Sequence, residues 1–275
     1  INQNKYTVEE IIFLRSNNYK VVPVVNDDKV VVNIINFKIQ KSYLPVDAVI
    51  MAGGLGSRLK PLTNALPKSL LKVGDKEIIS YNFDRLNSYG ITNQKITVNY
   101  LGNLIKDFCA DYNSDINFDI IEEKEFNGTA GSLSLIENFD NATVLLMNSD
   151  LLTNIDYEDF YKAFKENDAD IMVASIPYPV NLPYAIFEVE DRKVISFKEK
   201  PSYTYYANAG IYLIKKEIIA QIPKETFYNA TDLMQLVIDA SNKELKHYPI
   251  RGYWLDIGKH EDFDKAQRDI KHIEF

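Results

Sequence analysis

The sequence predicts an α/β fold, in which a mixed, mainly parallel sheet is flanked by helices. From Asp47 onward, short apolar runs typical of buried strands alternate with helix-like segments. Such alternation implies right-handed crossovers between parallel strands, with helices on both faces of the sheet. The length agrees with this fold, since 275 residues, 46% of them hydrophobic, suffice for one large domain with an appendage.

The strands of this sheet are predicted at the apolar runs, and the helices between them. The predicted strands are 48–51, 95–98, 118–121, 143–147 and 170–175, and the predicted helices are 78–88, 101–110, 130–137 and 157–166. Shorter strands at 185–190, 194–198 and 208–213 indicate a small β subdomain. Open α/β sheets bind ligands at the carboxyl ends of their strands, so we expect a site beyond Met51 and Met147.

Residues 1–44 are predicted to form a small unit and a linker ahead of this sheet. Thr7 and Glu10 have the spacing of a capping box, and the β-branched runs 21–25 and 29–35 predict a hairpin. This helix and hairpin resemble the latter half of a CBS motif. The resemblance implies a truncated regulatory module, which would bind an adenosyl nucleotide as part of a complete CBS module. The alternative is a packing or dimerising appendage without a ligand, because one such unit has a small core.

Composition and charge exclude several classes of function. The net charge of −8 argues against nucleic acid and anionic membranes as partners. No apolar run is long enough to span a bilayer and no signal segment opens the chain, so a cytoplasmic location is expected. The single cysteine, Cys109, is expected to be reduced and not catalytic. Because the sequence starts at Ile1 and not at Met, we expect it to begin inside a longer polypeptide.

The most specific motif is the segment 49–69, which reads VIMAGGLGSRLKPLTNALPKS. A glycine-rich turn directly after a strand allows phosphates to approach the backbone closely. Arg58 adds a planar donor fork and Lys68 a mobile ammonium, which together suit a polyphosphate. The motif lacks the Gly-Lys-Ser/Thr of a Walker loop and the third glycine of a dinucleotide fingerprint. The alternative is a turn that only reverses the chain.

The pattern GGxGxRLxPLTxxxPK, matched over residues 53–68, resembles the signature of sugar-phosphate nucleotidylyltransferases, also called NDP-sugar pyrophosphorylases. The resemblance implies a Rossmann-like sheet with a small sugar-binding β subdomain, and a catalytic domain at residues 45–275. It also implies that Mg²⁺ assists transfer of a nucleotidyl group from an NTP to a sugar 1-phosphate, with release of pyrophosphate. GTP with a hexose or aminohexose 1-phosphate is favoured, because transferases with CBS motifs ahead of the catalytic domain resemble guanylyltransferases. UTP, CTP and homo-oligomerisation are left open.

The resemblance also assigns the charged groups of the reaction. Asp150 and Asp256 match the two metal-binding aspartates of the family, although a lone carboxylate at a strand end can instead cap a helix. Arg58 would stabilise the departing pyrophosphate, and Lys68 and Lys200 would bind the α-phosphate and the attacking phosphate.

Further residues are assigned to the nucleotide and the sugar in the same way. The nucleotide-binding set is Gly53, Gly54, Gly56, Ser57, Glu123, Gly128 and Thr129, and the sugar-binding set is Tyr184, Glu199 and Asn208. Without the resemblance, Thr129 is an ordinary helix cap and Glu199 part of an exposed charged strand end. Two departures from the family pattern are Ser149 and Ala185, each of which stands where glycine is common. Ala185 leaves the identity of the sugar open, because its methyl group would reshape the sugar pocket.

Two other functions are compatible with parts of the sequence. A nucleotide-sensing regulatory protein without turnover is suggested by the CBS-like unit, and an NDP-sugar-dependent glycosyltransferase would have a related sheet. The sensor is disfavoured because the charged residues of the reaction are all present: Arg58, Lys68, Asp150 and Asp256. The glycosyltransferase is disfavoured because the segment around Arg58 suits a triphosphate.

Overall fold

The computed structural model describes residues 1–3 and 5–273 of the chain. The helices are α1 (Val8–Ser16), α2 (Ile78–Ser88), α3 (Gly102–Ala110), α4 (Gly128–Gly131), α5 (Tyr157–Glu166), α6 (Lys216–Ile219), α7 (Ala230–Asp239) and α8 (His260–Asp269). The strands are β1 (Val21–Val25), β2 (Val31–Asn36), β3 (Val46–Met51), β4 (Lys72–Val73), β5 (Lys76–Glu77), β6 (Asn93–Val98), β7 (Asn117–Glu122), β8 (Thr143–Asn148), β9 (Leu151–Thr153), β10 (Ile171–Asn181), β11 (Ile186–Glu190), β12 (Lys193–Lys198), β13 (Ser202–Lys215), β14 (Leu245–Pro249) and β15 (Trp254–Asp256). Among the described residues, no helix combines the length and the apolar character needed to cross a membrane.

The described residues form a central sheet with the strand order β14-β10-β13-β8-β3-β6-β7. The neighbours β8, β3, β6 and β7 are parallel, as are β10 and β14. Strand β13 alone runs antiparallel to its neighbours in this sheet, β10 and β8. The predicted mixed, mainly parallel α/β sheet is therefore confirmed.

Apolar residues cover both faces of this sheet, because successive side chains of a strand point to opposite sides. In β3, Ile50 packs in one core cluster with Phe83 of α2 and Phe160 of α5. Its neighbour Val49 packs in a second cluster with Val237 of α7. Both clusters consist of nearly fully buried residues, so the sheet is rigid where its strands end and the site begins.

Two predicted elements differ from the structure. The helix predicted at 130–137 is instead the short α4 followed by a 3-10 turn at Ser132–Leu135, and Ile136 is already extended. The strand predicted at 208–213 belongs to the longer β13, whose second half lies in the central sheet because Ile211 pairs with Met147 of β8. The first error arose from reading apolar spacing over too short a segment, and the second from a pairing distant in sequence.

Strands β10 and β13 continue beyond the carboxyl edge of the sheet as a two-stranded ribbon. Their pairing runs without interruption from Ile176↔Ala207 to Asn181↔Ser202, and the antiparallel hairpin β11–β12 lies at the far end. We call residues 176–207 the arm. Most side chains of the arm are exposed, including every one of β12.

The N-terminal residues form a helix and a hairpin, as predicted. The capping box is confirmed, since the Glu10 amide donates to Thr7 Oγ1 and the Thr7 amide donates to Glu10. Helix α1 and the antiparallel β1–β2 hairpin share a small buried cluster around Ile11. An ion pair of 2.7 Å between Arg15 and Glu158 docks this unit on α5. The division of the chain into residues 1–44 and 45–275 stays a prediction.

Candidate active site

A cavity of about 450 Å³ opens at the carboxyl edge of the central sheet, beyond the ends of β3, β6 and β8. Its walls come from the glycine-rich turn after β3, from segments that follow β6, β7 and β8, and from a C-terminal loop. The residues that line it are Met51 to Arg58, Lys68, Ser69, Thr97, Asn99, Glu123, Phe126, Gly128, Thr129, Asn148, Ser149, Asp150 and Gly258.

The glycine-rich turn is held in shape by its own short contacts. Gly56 has a φ of +59°, which disfavours any other residue there, and a Cβ at this position would lie 3.0 Å from Thr63. The Thr63 hydroxyl donates to the Gly56 carbonyl at 2.9 Å. Next to this contact, the fully buried Leu59 anchors a single 3-10 turn that begins at Ser57. Contacts with Thr63 and the buried Leu59 therefore hold the backbone at the Gly56 end of the turn.

Arg58 leaves this turn toward the C-terminal loop. Its guanidinium lies against Gly258, where a Cβ would be 3.3 Å from Nη2. Gly258 comes two residues after Asp256, so the loop that carries the second aspartate also supports the arginine. The spacing of these residues in the sequence gave no sign of this contact.

Asp150 and Asp256 are brought together by the short antiparallel pairing of β9 with β15, in which Leu151 pairs with Asp256. The Ile257 amide also donates to the Asp150 carbonyl at 3.1 Å. Lys68 lies between the two carboxylates: its Nζ donates to Asp150 Oδ2 and is 3.7 Å from Asp256 Oδ1. Two acidic residues that are far apart in sequence therefore share one ammonium group.

The electrostatics of this group are set by burial and by the neighbouring carboxylate. Partial burial, followed by the charge of Asp150, raises the pKa of Asp256, while Lys68 and Arg58 act in the opposite direction. Two carboxylates held this close favour a cation between them.

The donor set fits Mg²⁺. Asp150 Oδ1 and Asp256 Oδ1 are buried and have no hydrogen-bond partner among the described residues. Carboxylate oxygens of this kind are the ligands that Mg²⁺ prefers, with water and phosphate oxygens completing its shell. No group of three or more metal-ligating side chains occurs in residues 1–3 and 5–273, so the remaining ligands would come from water and substrate.

Glu123 forms the opposite wall of the cavity. Its side chain is 7% exposed, and Oε2 accepts from the Asn127 amide at 3.1 Å. Oε1 faces the glycine turn, 3.1 Å from where a Cβ of Gly53 would lie. Burial raises the pKa of Glu123, and the hydrogen bond from the Asn127 amide opposes this shift. A buried acceptor thus faces the cavity beside the glycine turn.

Gly128 and Thr129 lie at the start of α4, against the loop that precedes α7. Gly128 has a φ of +77°, and a Cβ there would lie 2.7 Å from the Tyr228 carbonyl oxygen. Thr129 Oγ1 accepts from the Ala230 amide at 2.7 Å. Thr129 therefore caps the distant α7. The prediction that it is an ordinary cap of its own helix is wrong.

The residues assigned to the sugar, and Lys200, assigned to the attacking phosphate, are not gathered around the cavity. Tyr184, Glu199 and Lys200 lie on the arm, are exposed, and fall outside the set of described residues that line the cavity; Tyr184 is 74% exposed. Asn208 lies at the base of the arm, where its Oδ1 accepts from the Gly210 amide at 2.9 Å. Gly210 in turn packs against Asn148, which lines the cavity.

The sequence matches the model of the nucleotidyl transferase family over residues 47–273. The chain belongs to this family. The match covers the sheet, the cavity and the arm, and it begins after the N-terminal helix and hairpin.

Relatives of this nucleotidyl transferase include mannose-1-phosphate guanyltransferases of yeasts. The protein from Schizosaccharomyces pombe is 30% identical over 229 residues, and the protein from Debaryomyces hansenii is 29% identical over 228 residues. Each alignment covers 78% of this chain and 62% of the relative. The chain thus spans about 62% of the length of these curated relatives.

Solved structures share the fold of this nucleotidyl transferase. A putative glucose-1-phosphate thymidylyltransferase from Bacillus anthracis, in complex with a sucrose, matches with a TM-score of 0.66 and 24% identity, covering 84% of this chain and 97% of that one. HddC from Yersinia pseudotuberculosis, complexed with GMP-PN, matches with a TM-score of 0.63 and 24% identity, covering 82% and 99%.

The cavity of the nucleotidyl transferase also contains residues that the sequence analysis missed. Asn99 follows the end of β6, and its Nδ2 donates to the Glu123 carbonyl at 2.8 Å. The rule that ligands bind at strand ends could have identified it. Phe126 lines the cavity with an exposed ring, and nothing in its sequence neighbourhood distinguishes it from a loop residue.

Proposed function

We propose that this nucleotidyl transferase joins a nucleoside triphosphate to a sugar 1-phosphate and releases pyrophosphate and an NDP-sugar. The observation that carries the proposal is the meeting of the glycine turn, Arg58, Lys68 and Asp150 around one cavity, with Asp256 Oδ1 3.7 Å from the Lys68 ammonium. Neutralising groups of this kind are what two negatively charged reactants require.

The reaction needs no nucleophile from the protein. An oxygen of the sugar phosphate attacks the α-phosphorus in line, the new phosphorus–oxygen bond forms, and the bond to the pyrophosphate breaks. The chain's task is to align two anions and to stabilise the charge that develops on the departing group. Arg58, supported by Gly258, is suited to the departing pyrophosphate.

Lys68 would bind the α-phosphate. Its ammonium is held by Asp150 and lies 3.7 Å from Asp256, which positions it at this end of the cavity. Asp150 and Asp256 would hold Mg²⁺, which when bound supplies positive charge to the phosphate oxygens. The sugar 1-phosphate would be bound by Tyr184, Glu199, Lys200 and Asn208 when the arm lies over the cavity.

GTP is the nucleotide that we propose. Both yeast relatives are named guanyltransferases. The Watson–Crick edge of guanine presents two adjacent N–H donors, which a carboxylate accepts well, and Glu123 offers such a carboxylate at the cavity wall. The relatives also favour a neutral hexose 1-phosphate as the second substrate.

We also propose that residues 1–44 are a CBS-like appendage to a catalytic domain at residues 45–275. The ion pair of Arg15 with Glu158 supports a fixed contact between the two. A cytoplasmic location is consistent with the single cysteine, Cys109, whose side chain is buried.

The test is to incubate the protein with Mg²⁺, each of four NTPs and a panel of sugar 1-phosphates, and to measure pyrophosphate. We expect release with GTP and a hexose 1-phosphate. Arg58→Ala should lower the rate about 100-fold or more, as loss of one preorganised charge does. Lys60→Ala, which removes an exposed cation two residues away, should leave it unchanged.

Two outcomes would contradict the proposal. Binding of GTP without release of pyrophosphate would indicate a nucleotide sensor. Formation of GDP from a GDP-sugar would indicate a glycosyltransferase.

A further inference from the structure

An exposed pair of aromatic rings lies at the wall of the cavity. Phe126 lines the cavity and is 52% exposed, and Phe227 beside it is 57% exposed. Single exposed rings are common on protein surfaces, but a ring on the wall of a ligand cavity is placed where a ligand can cover it. Covering a half-exposed ring removes apolar surface from water and is favourable. This part of the wall therefore suits a flat apolar group.

The two rings favour a defined orientation in each other. Their centroids are 6.0 Å apart, and their planes are tilted by 57°. Aromatic pairs prefer offset or tilted arrangements with centroids roughly 4.5–7 Å apart, because the negative face of one ring attracts the positive edge of the other. Phe227 thus restricts the rotation of Phe126, while about half of the Phe126 surface is still available to a ligand.

Main-chain hydrogen bonds tie together the two loops that carry these rings. The Tyr228 amide donates to the Asn127 carbonyl at 2.8 Å. The Tyr228 carbonyl in turn accepts from the amides of Ala130 at 2.9 Å and Gly131 at 2.8 Å. Each of the two rings precedes one end of the first of these hydrogen bonds in the sequence. The position of one ring relative to the other is therefore set by the backbone and not by the side chains alone.

Two glycines allow these loops to approach each other so closely. A Cβ on Gly131 would lie 2.6 Å from the Thr226 carbonyl oxygen, and a Cβ on Gly128 would lie 2.7 Å from the Tyr228 carbonyl oxygen. A larger residue at either position would push away the loop that carries Phe227. The glycines of this segment therefore have a structural task, which is to admit a second aromatic ring beside the cavity.

The groups at this wall match the two chemical aspects of a nucleobase. A base has polar atoms along its edge and a flat π surface on each face, so it is held best by a hydrogen-bonding group together with a stacking surface. Glu123 and Phe126 lie three residues apart in one loop, and both line the cavity. The buried carboxylate of Glu123 suits the edge of the base, and the exposed ring of Phe126 suits its face.

We propose that Phe126 stacks on one face of the nucleobase of the bound triphosphate, and that Phe227 is a positioning residue that holds the Phe126 ring for this contact. The inference rests on the proposed function, which identifies the ligand as a nucleoside triphosphate. Stacking on an aromatic ring is tolerant of base identity, because every base has a π face. Phe126 therefore adds affinity for the nucleotide, whereas Glu123 provides the preference for guanine.

The first experiment compares the binding of GTP with the binding of inorganic tripolyphosphate, which has no base, by calorimetric titration. Phe126→Ala should raise the Kd for GTP about tenfold or more and leave the Kd for tripolyphosphate unchanged. Phe126→Tyr, which keeps a ring, should bind GTP as the wild type does. Phe13→Ala is the matched control, because Phe13 is 63% exposed but lies on α1. An unchanged Kd for GTP in Phe126→Ala, or an equal loss for both ligands, would overturn the proposal.

The role of Phe227 is tested by a double-mutant cycle. Phe227→Ala should weaken GTP binding about two- to tenfold, because the Phe126 ring loses its aromatic neighbour, and Phe227→Tyr should restore the affinity. In the Phe126→Ala background, Phe227→Ala should cause no further loss, since a residue that acts only through Phe126 has nothing left to position. Additive losses in the double variant would overturn the positioning role.

A second experiment detects the stack directly and needs no turnover. Phe126→Trp places an indole at the proposed contact, and Phe13→Trp places one on α1 as the control; both variants also contain the native Trp254. A guanine that stacks on an indole quenches its fluorescence, so GTP should quench Phe126→Trp more strongly than Phe13→Trp, and tripolyphosphate should quench neither. Equal quenching of the two variants by GTP would overturn the proposal. Selective quenching without release of pyrophosphate would contradict the proposed function alone.

Discussion

Replacing Glu123 by glutamine should stabilise the fold and weaken nucleotide binding at the same time. The side chain is 7% exposed, and burial raises its pKa. The folded protein therefore holds a proton on Glu123 more tightly than the unfolded chain does. By linkage, the contribution of Glu123 to stability falls as pH rises from its unfolded pKa through its higher folded pKa. Glutamine does not titrate, and its oxygen can still accept from the Asn127 amide.

The size of each effect follows from these contacts. Removing a buried charge while keeping its hydrogen bond gives a gain of about 0.5–2 kcal/mol at neutral pH, in the range of single stabilising substitutions. At pH 4, where the carboxyl is mainly protonated in both states, the gain should be much smaller. The loss of a hydrogen bond from guanine to a charged acceptor costs about 1.5–3 kcal/mol, which weakens GTP binding about 10- to 100-fold.

Urea unfolding at pH 4 and pH 7.5 measures the first effect, and calorimetric titration with GTP the second. Glu125→Gln is the matched control, since Glu125 lies two residues away in the same loop and is exposed. An equal difference in unfolding free energy at both pH values would refute the role of the buried charge. Unchanged GTP affinity would show that Glu123 does not contact the base.

Two more substitutions test the metal site and the backbone. Mg²⁺ at ten times its Kd should raise the unfolding free energy of the wild type by about 1.4 kcal/mol, seen as a higher Tm. Asp256→Asn should remove this rise, while Asp115→Asn at an exposed position should keep it; a rise in Asp256→Asn would contradict the assignment. Gly128→Ala should destabilise the fold by about 1–3 kcal/mol in urea, because φ is +77° and the new Cβ would lie 2.7 Å from the Tyr228 carbonyl oxygen. Gly54→Ala is the control and should change the unfolding free energy little, because no described atom lies within 4 Å of its Cβ. Equal losses of unfolding free energy in the two alanine variants would contradict the role of the strained backbone at Gly128.

Local signals predicted the parts of the fold that depend on neighbours in sequence. Helix α5 was predicted with its observed bounds, because an apolar stripe follows Asp156, whose side chain accepts from the first amides of the helix. Strand β13 was misjudged, because half of it is fixed by pairing with β8, far away in the chain. Propensity and periodicity carry no information on such pairing.

The same distinction holds within the candidate site. The glycine turn and Lys68 lie in one contiguous motif, and the structure brings them together at the predicted edge of the sheet. The contact of Arg58 with Gly258 and the direction of the arm depend on how distant segments pack. No spacing in the sequence encodes either of them, and the ligand roles of Tyr184 and Lys200 stay predictions.

The pairing of β9 with β15 has a consequence for the order in which the protein is made. Asp150 lies on a segment that leaves the ribosome early, but its companion aspartate arrives with β15, after the whole sheet and the arm have been synthesised. A nascent chain can therefore fold most of its core while its acidic pair is still incomplete. The late strand therefore completes the pair of carboxylates, and a chain that stalls before it would carry Asp150 without Asp256.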